Sequence, residues 1–302
     1  MNKITCSICI ATYKRKDMLR NLLLSLLDQV LPDNVFLEII VVDNDEAQSA
    51  KDTVLNIKTN ESSSFTYLHQ PVKNISMTRN MGINNATGQY IAFIDDDEIA
   101  DKQWIYHLLS TSNKYDADGV FGYVDAIFPS DTPDWLKQRT IFFKPMRETG
   151  SSPLFLYTTN CLIKSDIIKN NNVQFDIKYG LTGGEDSIFC EKLRDCGAKF
   201  VTCREAVSYE TVIKERLNIK YIYSRYFQVG NIYSRRMIDV RGNELKGKRS
   251  ILFVKAILTV IYYSLKLIIF LPFKKRWVFS LIKFSANLGK LTGVFNFNYQ
   301  HY

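Results

Sequence analysis

Tyr90-Ile91-Ala92-Phe93-Ile94-Asp95-Asp96-Asp97-Glu98 is the stretch that decides the fold. Its apolar half reads as a buried strand, and the run stops abruptly at four acids. The C-terminal end of that strand therefore delivers carboxylates into a cleft. In open α/β sheets ligands bind at that edge. Clustered carboxylates repel one another, so the arrangement makes most sense if a divalent cation neutralises it.

The same pattern recurs on the N-terminal side. Ile4 to Ala11 is an apolar strand ending in Thr12-Tyr13-Lys14-Arg15, followed by helical spacing from Met18 to Leu27. Val35 to Val42 is a second strand, closing on Asp43-Asn44-Asp45-Glu46 before a helix expected over Ala47 to Ile57. Phe65 to Leu68 is a short strand. Asn74 opens a helix over Ile75 to Met81 that fades at Asn84-Asn85 and stops at Gly88. This alternation predicts an α/β, doubly wound, mostly parallel sheet covered by helices, with Thr12, Asp43 and Asp95 on one edge.

Beyond Asp97 the alternation breaks down. Lys102 to Asn113 is predicted helical and Gly119 to Phe128 a strand. Pro129 to Pro153, with Trp135, Phe142 and Phe143, reads as an irregular wall suited to an acceptor. Order resumes at Tyr157 to Ile163. Gly183-Gly184-Glu185-Asp186 then opens an amphipathic helix over Ser187 to Cys196. Lys199 to Cys203 and Val207 to Tyr209 are short strand candidates, and a long aromatic and basic helix is expected from Arg216 to Met237.

The 302 residues, 46% apolar, suffice for a full core and exclude a disordered chain. The formal charge of +8 is unevenly placed: residues 241 to 302 carry a net +10 and the first 240 a net −2. A mildly acidic body with a basic tail points to an anionic partner for the tail, membrane or nucleic acid. The N-terminal apolar run is too short for a signal peptide, so the chain is expected to start in the cytosol. The six cysteines fit that reading as buried reduced thiols. Cys6 and Cys9 have CxxC spacing, but in a strand residues three apart point to opposite faces.

Ile251 to Leu271 is long enough to span a bilayer, yet it contains Lys255 and Lys266. At about 100° per residue the two lysines fall within about 20° of each other, with Thr259 and Tyr262 beside them. A span would bury both at about 2.5 to 3.5 kcal/mol each near its centre, whereas an in-plane helix avoids that cost. Pro272-Phe273-Lys274-Lys275-Arg276 breaks the helix, and Trp277 to Phe295 continues with Lys283 and Lys290 on one face. Two basic amphipathic helices read as a monotopic anchor to an anionic membrane surface. Lysines set into aliphatic helices, rather than arginine-rich loops, argue against nucleic acid.

Asp43, Asp95 to Asp97 and Arg79, all expected at the same sheet edge, suit a nucleotide bound through a metal. Asp43-Asn44-Asp45-Glu46 taken alone reads first as a solvated turn and helix N-terminus. Glu185 and Asp186 are either an N-cap pair or a general base at a flexible glycine turn. No Walker loop or GxGxxG is present, and His69, His107 and His301 show no spacing for metal ligation or a triad.

Taken in order, Ser7 to Arg15, Ile40 to Asn44, Thr78 to Gly82, Gly88 to Glu98 and Gly184-Glu185-Asp186 resemble the family 2 glycosyltransferases of GT-A fold. The resemblance covers residues 4 to about 190. It implies inverting transfer of one sugar from a nucleotide-sugar donor, a UDP-sugar, to a hydroxyl of a glycan acceptor. Ala11, Thr12, Tyr13, Arg15, Asp43, Arg79, Asp95 and Asp96 would hold the nucleotide, Asp97 and Asp95 an Mg²⁺ or Mn²⁺ ion, and Asp186 would be the base with Glu185 supporting it. Many relatives place a metal-ligating His after the base strand. This chain has Val207-Ser208-Tyr209-Glu210, so Glu210 is the candidate to replace it, at the metal or at the acceptor. The QxxRW motif of processive synthases is absent; Arg225-Tyr226-Phe227-Gln228 only loosely echoes it, hence one sugar rather than a polymer. The implied layout is a catalytic domain over 1–215, nucleotide-binding in 1–100 and acceptor-binding in 101–215, with a helical membrane-associating extension over 216–302. The setting implied is surface polysaccharide assembly on a lipid-linked glycan at the cytoplasmic face of the inner membrane. The alternative is a membrane-tethered nucleotide-sugar binding or scaffold protein without catalysis.

Overall fold

The computed structural model describes residues 3–137, 139–142, 145–241, 248–295 and 297. Phe143 of the acceptor-wall reading, His301, and residues 242–247 of the basic tail lie outside the described residues.

Two compact units divide the chain. The first comprises residues 1–127, 143–180 and 185–211. Its strands are β1 (Ile4–Thr12), β2 (Val35–Asp43), β3 (Ser63–His69), β4 (Tyr90–Ile94), β5 (Glu98–Ala100), β6 (Gly119–Ile127), β7 (Asn160–Lys164) and β8 (Phe200–Thr211). Helices α1 (Lys16–Leu27), α2 (Lys51–Leu55), α3 (Ile75–Asn85) and α4 (Trp104–Tyr115) belong to it, as do α6 (Ser165–Lys169) and α7 (Glu185–Asp195). The second unit contains α5 (Arg139–Phe142), α8 (Ile219–Arg241), α9 (Lys248–Ile269) and α10 (Lys274–Val294).

The strands form one sheet in the order β3-β2-β1-β4-β7-β6-β8-β5. Its first four strands are parallel, as the strand-helix alternation predicts. In-register pairing of Thr12 with Asp43 places their polar ends at one edge. β7 runs antiparallel to both β4 and β6, and β5 antiparallel to β8, so the sheet is mixed in its second half. Inserting an antiparallel strand beside β4 needs no covering crossover helix, which is why the regular alternation stops at the acid run.

Both faces of the sheet are buried. Cys6, Ile8, Ile10, Ile39 and Val41 pack with α1 and α4 on one side, while Cys9, Ile40, Val42, Phe93 and Phe189 form the core on the other. Cys6 and Cys9 therefore face opposite cores, and burial raises both thiols, Cys6 to about 12. Cys196 departs from the buried-thiol expectation: it ends the helical turn after α7 and is exposed.

Three further boundaries differ from the sequence reading. The helix expected over Ala47 to Ile57 is only Lys51–Leu55, because the Asp43 carboxylate accepts from the amides of Asp45 and Ala50 and holds the intervening segment as a turn. The two short strands after Lys199 are one strand, β8, whose exposed Arg204-Glu205 sits at an irregularity in its pairing with β6. Order after the proline-rich region begins at Asn160 rather than Tyr157.

In the second unit α10 packs along α8 through small residues. A side chain at Gly230 would strike the Ala286 carbonyl, and one at Gly289 the Phe227 carbonyl, so the two backbones are in near contact. α9 packs on α10 through Phe253 against Phe295 and Tyr263 against Phe279.

Candidate active site

The acid run after β4 is organised by its middle member. Asp96 is buried, accepts from Thr12 Oγ1 at 2.8 Å and from Arg15 Nη1 at 2.9 Å, and so ties the end of β1 to the end of β4. Arg15 also reaches Asp97 at 3.1 Å. Burial pushes the Asp96 carboxyl up, and Arg15 opposes this.

Asp95 turns towards α3, where Arg79 Nη2 approaches it at 3.3 Å and Arg79 Nη1 donates to Glu185 Oε1 at 2.6 Å. One guanidinium thus joins the acid run to the helix start that carries Glu185 and Asp186. Its position is set from below: Phe175 lies 5.5 Å from it, stacks on Phe189 of α7 at 4.1 Å and meets Phe93 of β4 edge-on at 5.8 Å. Asn74 caps α3 by accepting from the Met77 amide, fixing the helix that presents Arg79.

The Asp95 carboxyl is pushed up to about 7, chiefly by burial, with Asp97, Asp96 and Glu210 adding to the rise and Arg79 opposing it. Its side chain keeps 35% of its surface accessible, so the desolvation is that of a cleft wall and not of a sealed core. Glu185 is also raised to about 7 by burial, opposed by Arg79 and reinforced by Asp186. Its Oε2 is buried without a hydrogen-bond partner. Gly183 and Gly184, at φ of 82° and 96°, give the left-handed turn that leads into α7. Asp186 is half-buried in the first turn and accepts from the Ser187 amide at 2.6 Å.

β5 and β8 add two carboxylates. Glu98 pairs in register with Glu210. Glu98 is buried, its pKa is raised well above the usual range by burial and then by Asp95, and its Oε2 has no hydrogen-bond partner. Asp95, Asp97, Glu98 and Glu210 are therefore within electrostatic reach of one another. Behind them Asn160 is fully buried and donates to Ser208 Oγ at 2.9 Å while accepting from Trp104 Nε1 at 2.8 Å.

On the β1–β2 side, Ala11 pairs with Val42, and the Tyr13 ring is flanked by Lys73 Nζ at 4.9 Å and Lys14 Nζ at 5.2 Å. Asp43 is fully buried, and its oxygens accept from Asp45, Ala50 and Tyr67, so it holds the loop that it begins. Asn44 bonds Gln70, Val72 and the Asn74 amide and anchors the approach to α3. The structure thus brings together Thr12, Arg15, Asp96 and Asp97 at one end of the acid run. At the other it gathers Arg79, Asp95, Glu185 and Asp186, with Glu210 alongside. The buried Asn160 and the half-buried Tyr67 escaped the sequence reading, and Glu98, read there as the last acid of the run, proves to open β5; a lone polar residue heading an apolar run, as in Asn160-Cys161-Leu162-Ile163, was the available signal for Asn160.

A hard, oxygen-only donor set with a raised Asp95 and an unpartnered buried oxygen on Glu98 fits a hard divalent cation. Among the described residues no three such groups form a ready-made cage.

The sheet order and acid-ended strands define a GT-A type fold, shared with S. aureus TarS residues 1–349: TM-score 0.54, 15% identity, 96% of this chain and 92% of that one covered. The same protein in complex with UDP-GlcNAc aligns at TM-score 0.52 and 15% identity over 96% and 93% of the two chains. Residues 7–171 match the family model "Glycosyl transferase family 2". The chain belongs to that family and is a glycosyltransferase. It is 30% identical over 238 residues to the succinoglycan biosynthesis protein ExoM of Rhizobium meliloti, covering 77% of this chain and 75% of that one. It is 23% identical to the glycosyltransferase AglE of Haloferax volcanii over 63% and 68% of the respective chains. Against the poly(ribitol-phosphate) beta-glucosyltransferase of Bacillus spizizenii the match is 24% identity over 72% of this chain and 34% of the relative.

Proposed function

We propose that this chain transfers one sugar, with inversion, from a UDP-sugar to a hydroxyl of a glycan acceptor. The observation that carries the reading is the Arg79 bridge, which sets the Glu185-Asp186 pair beside the acid run. A displacement at the anomeric carbon needs those two halves side by side: a base for the incoming hydroxyl and stabilisation for the departing diphosphate.

In this reading Asp186 takes the proton of the acceptor hydroxyl as its oxygen forms the new bond to the anomeric carbon. The bond from that carbon to the diphosphate oxygen breaks, and the nucleoside diphosphate leaves with the electron pair. Glu185, held by Arg79, orients the adjacent Asp186. Tyr13, flanked by two lysines, meets the nucleobase, and Thr12, Arg15 and Asp96 hold the loops around the nucleotide. Asp97 and Asp95, with Glu210 beside them, would hold Mg²⁺ or Mn²⁺. The ion, when bound, neutralises negative charge on the leaving diphosphate. The named relatives in succinoglycan and wall-polymer synthesis support polysaccharide assembly as the setting. A third, the GalNAc(5)-diNAcBac-PP-undecaprenol beta-1,3-glucosyltransferase of Campylobacter jejuni, supports a lipid-linked acceptor. The apolar, basic α9 and α10 support work at the cytoplasmic face of a membrane.

The test is a panel of nucleotide sugars with Mn²⁺, scored for donor hydrolysis and transfer. Wild type is expected to act on a UDP-sugar, and Asp186→Asn to lower turnover by about 10²- to 10⁴-fold with donor binding retained. Equal loss of binding and turnover in that variant would remove Asp186 from the role of base, and inactivity of the wild type across the panel would refute the reading.

A further inference from the structure

α9 presents an unusual outer surface. Ile251, Val254, Leu258, Ile261, Leu265, Ile268 and Ile269 are all exposed by more than half. Their spacing of three and four residues gathers them into one stripe about 120° wide. The opposite side of the helix is the packed one, carrying Ala256, Phe253 and Tyr263 against α10. Lys255 and Lys266 lie on one border of the stripe, about 40° and about 60° beyond its edge. Lys266 extends over the Tyr262 ring at 4.5 Å. The stripe continues into exposed Leu271 and Phe273 and ends on exposed Lys274, Lys275 and Arg276.

Two features select the occupant. From Lys248 to Val294 the sequence holds nine lysines and arginines and no acid, so a protein partner or a second copy would meet a face with no complementary charge of its own. An apolar stripe bordered by cations alone complements a surface that is apolar beneath and anionic above, which is a phospholipid monolayer. Ser250–Ile269 is long and apolar enough to cross a membrane. A helix that crosses alone is ringed by hydrocarbon, whereas one side of α9 is occupied by α10. That helix is itself packed on α8 through Gly230 and Gly289, so a span would take α10 with it, including the exposed Lys283 and the buried Asn287.

We propose that α9 lies in the plane of an anionic monolayer, stripe inward, with phospholipid headgroups gathered along Lys255 and Lys266 and at Lys274-Lys275-Arg276. The proposal rests on the membrane association stated above and specifies its geometry and its lipid.

The experiment uses the full chain in a Cys196→Ser background, since the other five cysteines are buried. Ile251→Cys, Leu258→Cys and Ile269→Cys, each on the exposed stripe, are labelled with a fluorophore and read by depth-dependent quenching in vesicles of phosphatidylcholine with or without phosphatidylglycerol. An in-plane helix gives the same shallow depth at all three sites. It also gives binding that rises by about tenfold or more with phosphatidylglycerol and falls with salt. Leu258→Glu with Leu265→Glu, both fully on the free face, removes flotation without changing the circular dichroism spectrum. A middle site deeper than both ends by about 10 Å overturns the in-plane geometry while leaving membrane association intact. Absence of flotation with any vesicle, or a stripe buried in a vesicle-free dimer, overturns both. Donor hydrolysis measured without vesicles reports separately on the transferase reading.

Discussion

Arg79→Met removes the guanidinium that joins Asp95 to Glu185, and its cost should depend on pH. The Arg79 and Glu185 side chains are 11% and 9% accessible, so this is a nearly buried pair. Breaking such a pair by removing one partner costs about 3–5 kcal/mol, because the remaining charge is buried uncompensated. Glu185 and Asp95 ionise at about 7 in the folded chain, well above the ordinary carboxylate range. Folded pKa values raised in this way mean that stability is lost as pH rises from the unfolded value to the folded one. Arg79 holds both values down, so in its absence they move higher and the loss continues above pH 7. At pH 5.5 both carboxyls are largely neutral, and Arg79 contributes hydrogen bonds worth about 1–2 kcal/mol. At pH 8.5 the difference should reach about 3–5 kcal/mol, most of it from Glu185, because solvent at the partly accessible Asp95 screens the second pair. At roughly 2–4 °C per kcal/mol, the melting temperature of the ligand-free variant should fall below wild type by roughly 6–20 °C at pH 8.5 and by much less at pH 5.5. Thermal unfolding followed by circular dichroism at the two pH values measures this. A deficit equal at both would refute the reasoning, since it would mean that Arg79 acts through packing on Phe175 and not through charge.

Two further outcomes follow from the site and the tail. Asp97→Asn should weaken Mn²⁺-dependent UDP binding by about tenfold or more, equivalent to about 1.4 kcal/mol, with metal-free binding little changed; titration calorimetry with and without Mn²⁺ separates the two. Gly289→Ala places a methyl against the Phe227 carbonyl and should cost about 1–3 kcal/mol by parting α8 from α10, seen as faster amide exchange in both helices.

The first half of the fold was legible because its strands are apolar runs that end in polar residues, and in a parallel sheet that pattern repeats without interruption. What followed was less so, for local reasons. Glu98 opens β5 although an acid after three acids reads as loop, and its burial depends on β8, more than a hundred residues away. β8 reads as two strands because Arg204-Glu205 turns outward at an irregularity that only the partner strand reveals. The acids and Arg79 stood out by type and position, and the family resemblance that they carried agrees with the family match. Their partners were not readable: Thr12 and Asp96 are 84 residues apart, and Arg79 and Glu185 are 106 apart. Sequence spacing carries no information about such pairs until topology closes the distance.

Arg15 bridges Asp96 and Asp97, with its own side chain 41% accessible. The acid run is therefore already partly neutralised by a tethered cation. On the proposed reading, Asp97 would hold the divalent ion where it now meets the guanidinium, and Arg15, kept in place by its bond to Asp96, would remain beside it as a second positive charge for the phosphates. The strand end thus carries its own counter-charge, supplied by a side chain 81 residues earlier in the chain.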